Sequence, residues 1–171
     1  AGYASSASAD CSGSIAAGET KTCTITNNDQ AASLTLVKRV VNDNGGTAVA
    51  TDWTLSATGP TPIAGAGGVT SGPTFAQGSY TLAETGVPGY TASAWVCTGT
   101  GTQTGATIAL DLGESATCTI TNDDQAARLT LVKRIVNDNV GTAEVGAFGL
   151  TTDAGALAFG AGAPDGANTL K

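Results

Sequence analysis

Cys23-Thr-Ile-Thr-Asn-Asn-Asp-Gln-Ala-Ala-Ser-Leu-Thr-Leu-Val-Lys-Arg39 returns, with two changes, as Cys118-Thr-Ile-Thr-Asn-Asp-Asp-Gln-Ala-Ala-Arg-Leu-Thr-Leu-Val-Lys-Arg134. The match runs on through Val41-Asn42-Asp43-Asn44 against Val136-Asn137-Asp138-Asn139, and it sets Trp53 against Phe148. The copies stand 95 residues apart, a period long enough for a whole domain, so the chain reads as an array of domains rather than a solenoid of short repeats. One complete unit is expected over residues 33–127. Gly2-Tyr3 followed by Cys11 matches Gly89-Tyr90 followed by Cys97, which makes residues 1–32 the closing part of a preceding unit. Residues 128–171 match 33–76 and are the opening part of a following one. The joints, Asp29-Gln30-Ala31-Ala32 and Asp124-Gln125-Ala126-Ala127, are too short to bend freely, and an extended rod is expected.

Within the complete unit no 3.6-residue apolar period persists, whereas short alternating runs rich in Val, Thr, Ile and Tyr recur between turn residues. Strands are expected at 34–41, 53–57, 80–84, 90–97, 106–110 and 116–122, about seven in all with weaker candidates. Asn42-Asp-Asn-Gly-Gly46 carries turn chemistry and the Gly/Pro-rich stretch 59–73 reads as a loop. Turns spaced by ten residues or so imply an all-β, antiparallel sandwich of the immunoglobulin-like kind.

Composition narrows the function classes. The net charge of −7 lacks the basic footprint that nucleic acid requires and favours solubility. No apolar run reaches the length of about eighteen residues that a membrane helix needs. There is no histidine, no serine in a nucleophile motif and no phosphate-loop pattern around Gly65-Ala-Gly-Gly68, so neither an enzyme nor a cofactor is expected.

The four cysteines fall in two pairs, Cys11 with Cys23 and Cys97 with Cys118, one pair per copy. Their spacing suits neither a C-x-x-C metal clip nor a redox motif. Two intradomain disulfides between neighbouring strands are expected, and with them an oxidising, extracellular compartment; the alternative is buried thiols in a cytosolic protein. On the loop-entropy account each short bridge contributes about 3 kcal/mol.

Alternation also isolates three polar residues. Side chains at i, i+2 and i+4 of a strand share a face. Lys38 therefore continues the stripe of Leu34 and Leu36, Glu84 that of Tyr80 and Leu82, and Asn122 that of Cys118 and Ile120. A buried lysine or glutamate without a partner is costly, so the two are expected to meet.

Those residues carry a resemblance. Lys38 in Leu-Val-Lys-Arg, Glu84 in Tyr-Thr-Leu-Ala-Glu-Thr-Gly-Val-Pro-Gly-Tyr, and Asn122 in Thr-Ile-Thr-Asn together resemble the signature of collagen-adhesin B-type domains. These are prealbumin-like sandwiches of Gram-positive pilus shafts and adhesin stalks. The resemblance covers residues 33–122. It implies a spontaneous isopeptide bond between the first-strand Lys38 and the last-strand Asn122, assisted by Glu84; Lys133 and Asn27 are the counterparts in the flanking partial units. The cysteine pair lies outside the usual family pattern. Burial disfavours charge on either partner, so amine and acid can exchange a proton and the amine can attack the amide. The alternative is an ordinary Lys38–Glu84 salt bridge, or a lysine snorkelling to the sheet edge, with Asn122 as a turn residue.

Asn42-Asp43-Asn44-Gly45 and Asn122-Asp123-Asp124 offer oxygen ligands of the type calcium takes, although such clusters are far more often plain turns, and no metal is assigned. The expected function is a structural segment of an extracellular bacterial surface fibre or stalk. Its partners would be neighbouring copies of itself joined head to tail, the closing piece 1–32 of one copy completing the opening piece 128–171 of another. The other reading is an adhesin module in which loop 59–73 or a sheet edge grips a glycan or matrix protein. Aromatic residues at 5% are too few to favour such a surface.

Overall fold

Threonine, valine and isoleucine at every second position favour extended backbone, and strands make up nearly all the regular structure of this computed structural model, which describes residues 2–152, 155–157 and 165–170. Two compact units are formed, Ala1–Gln125 and Ala126–Lys171. The first opens with an antiparallel hairpin of β1 (Tyr3–Ala7) and β2 (Ile25–Asp29), in which Tyr3 faces Asp29 and Ser5 faces Asn27. Every residue of both strands is exposed.

Ten strands follow: β3 (Ser33–Val41), β4 (Thr54–Thr58), β5 (Ile63–Ala66), β6 (Gly68–Thr70), β7 (Gly78–Glu84), β8 (Tyr90–Ala92), β9 (Val96–Gly99), β10 (Thr102–Thr104), β11 (Thr107–Leu110) and β12 (Ser115–Asp124). They build two sheets. One has the order β10-β11-β7-β4-β5; in the other β6-β3-β12-β8 are neighbours and β9 also pairs with β12. Leu34 and Leu36 of β3, Leu55 and Ala57 of β4, Tyr80 and Leu82 of β7, Ile108 and Leu110 of β11, and Ala116, Cys118 and Ile120 of β12 meet between the sheets, with Phe75 and Trp95. Apolar burial of this kind supplies the main driving force for the fold.

The all-β sandwich is as expected, but three expectations are corrected. The strands number ten rather than about seven. The stretch 59–73 holds β5 and β6 rather than a loop, because its glycines permit close approach. A Cβ on Gly65 would lie 2.5 Å from the Gly68 carbonyl oxygen, and one on Gly68 (φ 151°) would lie 2.6 Å from that of Leu36. The run 90–97 is split into β8 and β9, where the chain turns Trp95 into the core and Ser93 exchanges bonds with Thr121. β3 and β12 run parallel, in register over nine residue pairs from Ser33–Ser115 to Val41–Asp123, whereas the other pairings among the described residues are antiparallel.

The second unit contains β13 (Leu129–Arg134), β14 (Leu150–Thr152), β15 (Gly155–Leu157) and β16 (Asp165–Leu170), paired β13 with β16 and β14 with β15. Among the described residues no helix is long and apolar enough to cross a membrane.

Candidate functional site

The parallel pairing places the first and last strands of the sandwich side by side, and the polar residues of the apolar stripes meet there. Lys38 is the third inward side chain of β3, after Leu34 and Leu36; Asn122 is the fourth inward side chain of β12, after Ala116, Cys118 and Ile120. Glu84 ends β7 on the facing sheet, opposite Leu55 of β4. Its carboxylate joins the other two: Lys38 Nζ donates to Glu84 Oε2 at 2.5 Å and Asn122 Nδ2 donates to Glu84 Oε1 at 2.9 Å. Lys38 is 6% and Asn122 2% exposed, so an ion pair and an amide are enclosed in the core.

The surroundings are apolar and aromatic. Lys38 Nζ lies 4.5 Å from the centre of the Trp53 ring, a cation–π distance, and Trp53 in turn meets Tyr90 edge to face at 5.1 Å. Two buried polar atoms here have no hydrogen-bond partner among the described residues, Trp53 Nε1 and Asn122 Oδ1. An orphaned carbonyl oxygen in a core is costly, and here it belongs to the amide held by Glu84. In the second unit Lys133 Nζ lies 4.3 Å from the Phe148 ring, so the lysine–aromatic contact recurs with the repeat. Asn27 is exposed on β2 and has no lysine or glutamate partner among the described residues.

The cysteines join as Cys11–Cys23 and Cys97–Cys118. Cys97 and Cys118 face each other directly across β9 and β12, and Cys118, fully buried, lies on the same face as Asn122. The last strand is thus covalently tied to β9 through Cys118 and carries Asn122 four residues further along the same face. Two disulfides fit an oxidising, extracellular setting.

The residues considered for calcium do something else. Asp43, Asp123 and Asp124 do gather their carboxylates within 4.8 Å, but Asp124 is occupied by backbone donors. Its Oδ1 accepts from the amides of Asp43 and Asn44, and its Oδ2 from those of Asn44 and Gly46. These bonds use the lone pairs a cation would require. Burial raises the Asp124 pKa, but the amides of Gly46, Asn44 and Asp43 and the Asn44 side chain outweigh it and hold the carboxyl below its ordinary value. This role for Asp124 was missed in the sequence; the available signal was the repeated Asn-x-Asp after each Cys-Thr-Ile-Thr.

The sandwich has counterparts among known domains. Residues 29–120 and again 124–170 match the prealbumin-like fold domain family, and the chain belongs to that family. No curated protein and no solved structure matches it.

Proposed function

We propose that this chain is a segment of an extracellular bacterial surface fibre or stalk, built from prealbumin-like units that follow one another head to tail, with an intramolecular Lys38–Asn122 isopeptide bond reinforcing the complete unit. The observation that carries this reading is the enclosed Lys38–Glu84–Asn122 trio between the first and last strands. A simple salt bridge would need only the lysine and the glutamate. The buried asparagine on the second carboxylate oxygen, with its carbonyl unpartnered, is explained by the reaction.

The Lys38 ammonium passes one proton to Glu84, leaving a neutral amine and a neutral acid. The amine nitrogen attacks Asn122 Cγ while the Glu84 hydroxyl donates to Oδ1, the orphaned oxygen, once the amide has turned. A second proton from the attacking nitrogen reaches the amide nitrogen by way of Glu84. The Cγ–Nδ2 bond breaks, ammonia leaves and one new amide remains. This single turnover on the chain itself is a maturation step, not an enzymatic activity. The flanking pieces 1–32 and 128–171, with Asn27 and Lys133, belong on this reading to neighbouring units of the fibre.

The test is the intact mass of the reduced protein. Condensation removes ammonia, about 17 Da, and tryptic digestion then yields one branched peptide containing Lys38 and Asn122. Glu84→Gln is expected to restore the full mass. A wild-type chain at full mass, with both residues recovered on separate peptides, would refute the bond.

A further inference from the structure

Condensation requires Lys38 and Asn122 to be in the right register, and the alternation of β12 does not enforce it. A slip of one residue turns Asn122 out of the core. A slip of two keeps its face inward but moves it by roughly 7 Å along the strand, out of reach of the lysine. The run Cys118-Thr-Ile-Thr-Asn122 alternates a threonine with an inward residue, so the binary pattern alone tolerates the two-residue slip.

The end of β12 is fixed by something more specific. Asp124 lies two residues beyond Asn122 on the same face and is 6% exposed. The loop leaving β3 wraps around it. Asp43 and Asn44 donate their amides to Oδ1 at 2.9 and 3.1 Å, Asn44 and Gly46 theirs to Oδ2 at 3.0 and 2.5 Å, and Asn44 Nδ2 donates to the Asp124 carbonyl at 3.2 Å. Tyr90 closes the other side, donating to Asn42 Oδ1 at 2.7 Å and accepting from the Ala48 amide at 3.0 Å. A Cβ on Gly46 would collide with the Tyr90 hydroxyl and with Asp124 Cβ, so the cradle is closed around one carboxylate. The carboxylates of Asp43 and Asp123 lie near it and would repel its charge were the amides not turned towards it.

The parts recur. Asn27-Asn28-Asp29 repeats the Asn-x-Asp spacing. Loop 137–143 keeps the bonds that shape loop 42–48: Asn137 Nδ2 donates to the Ala143 carbonyl as Asn42 Nδ2 does to Ala48, both at 3.0 Å, and Asn139 Nδ2 donates to Asp138 Oδ1 as Asn44 Nδ2 does to Asp43.

We infer that Asp124 is a positioning residue for the Lys38–Asn122 condensation, a carboxylate that anchors the loop after the first strand to the end of the last and thereby sets the register in which lysine and asparagine face Glu84. This role rests on the isopeptide reading above. In a two-residue slip the carboxylate, buried at 6% exposure, would leave the cradle and the half-buried amide bonds of Asp43, Asn44 and Gly46 would be lost, so the shifted alignment is disfavoured by lost hydrogen bonds to a charged group rather than by shape.

The test follows bond formation in time. The whole chain is recovered unfolded, refolded by dilution, and the loss of about 17 Da is read by mass spectrometry at intervals. Asp124→Ala is expected to slow bond formation roughly 10- to 100-fold, the scale on which misplaced reactants lose rate. Formate in the refolding buffer, an anion small enough for the emptied cradle, is expected to restore much of it. Leu110→Ala, which removes core volume away from the trio, controls for stability: it is expected to lower the denaturation midpoint yet form the bond at the wild-type rate. If Asp124→Ala does not fold, Asp124→Asn, which keeps one acceptor oxygen, must give an intermediate rate. Bond formation at the wild-type rate in the variant that folds overturns the inference, as does a slowing no greater in Asp124→Ala than in Leu110→Ala and indifferent to formate. A wild-type chain that never loses the mass is a separate outcome, overturning the bond itself and this role with it.

Discussion

β2 and the end of β12 share the sequence Ile-Thr-Asn, each preceded by Cys-Thr, and live in different surroundings. Ile120 is 4% exposed and Ile25 63%; Asn122 is buried against Glu84 and Asn27 is exposed. One strand pairing is nevertheless alike. β1 faces β2 with Tyr3 opposite Asp29, as β8 faces β12 with Tyr90 opposite Asp124, and the cysteine before each Thr-Ile-Thr-Asn is bridged, Cys23 to Cys11 in a short turn and Cys118 to Cys97 of β9. The tyrosine–aspartate register and the bridge therefore recur with the short sequence, whereas burial and the polar trio come from what lies on the strand's other side. For β12 that is β3. For β2 no such strand is present among the described residues.

The largest test of this contrast is a matched pair of core truncations. Ile120→Ala is expected to cost about 2–4 kcal/mol, the usual range for losing a buried branched side chain. Ile25→Ala, at an exposed site, should stay within about 0.5 kcal/mol. Chemical denaturation of both variants decides it, and equal effects would mean that β2 is buried in solution.

The disulfides should differ in a related way. On the loop-entropy account, replacing Cys97 and Cys118 with alanine costs about 3 kcal/mol, seen as a lower denaturation midpoint. Cys118 is fully buried and Cys23 is exposed. Mild reduction with alkylation is therefore expected to label Cys11 and Cys23 first, and Cys118 only when the sandwich opens. Simultaneous labelling of all four thiols would contradict that order.

The smallest effect concerns acid. The Asp124 carboxyl is held below its ordinary value of 3.8. Its contribution to stability is thus present in full above the unfolded-state pKa and is lost as pH falls through the lower, folded-state value. Denaturation midpoints followed downward from about pH 5 should decline with a component that Asp124→Asn removes.

What could be read in the sequence follows from the kind of signal each feature leaves. Lys38, Glu84 and Asn122 stood out because each interrupts an apolar stripe, and their meeting follows from the cost of leaving a lysine or glutamate alone in a core. The cysteine pairs stood out through repetition. Asp124 left only the repeated Asn-x-Asp as a sign of its role, because its partners are backbone amides some eighty residues away and every residue but proline carries one. β5 and β6 were hidden because glycine reads as a loop, although at Gly65 and Gly68 it serves close approach of strands. The parallel pairing of β3 with β12 was invisible for a different reason: a periodicity of two shows which face of a strand is inward but not which strand lies beside it, or in which direction.

That parallel pairing has a mechanical consequence. In the ten-stranded sandwich the chain enters at the start of β3 and leaves at the end of β12, and since the two strands are parallel neighbours these points lie at opposite ends of one ladder. A force pulling entry and exit apart slides the strands along each other instead of peeling them. Until a Lys38–Asn122 bond carries the load, all nine residue pairs resist together as a clamp in shear, whereas an antiparallel hairpin pulled from its open ends would unzip one pair at a time.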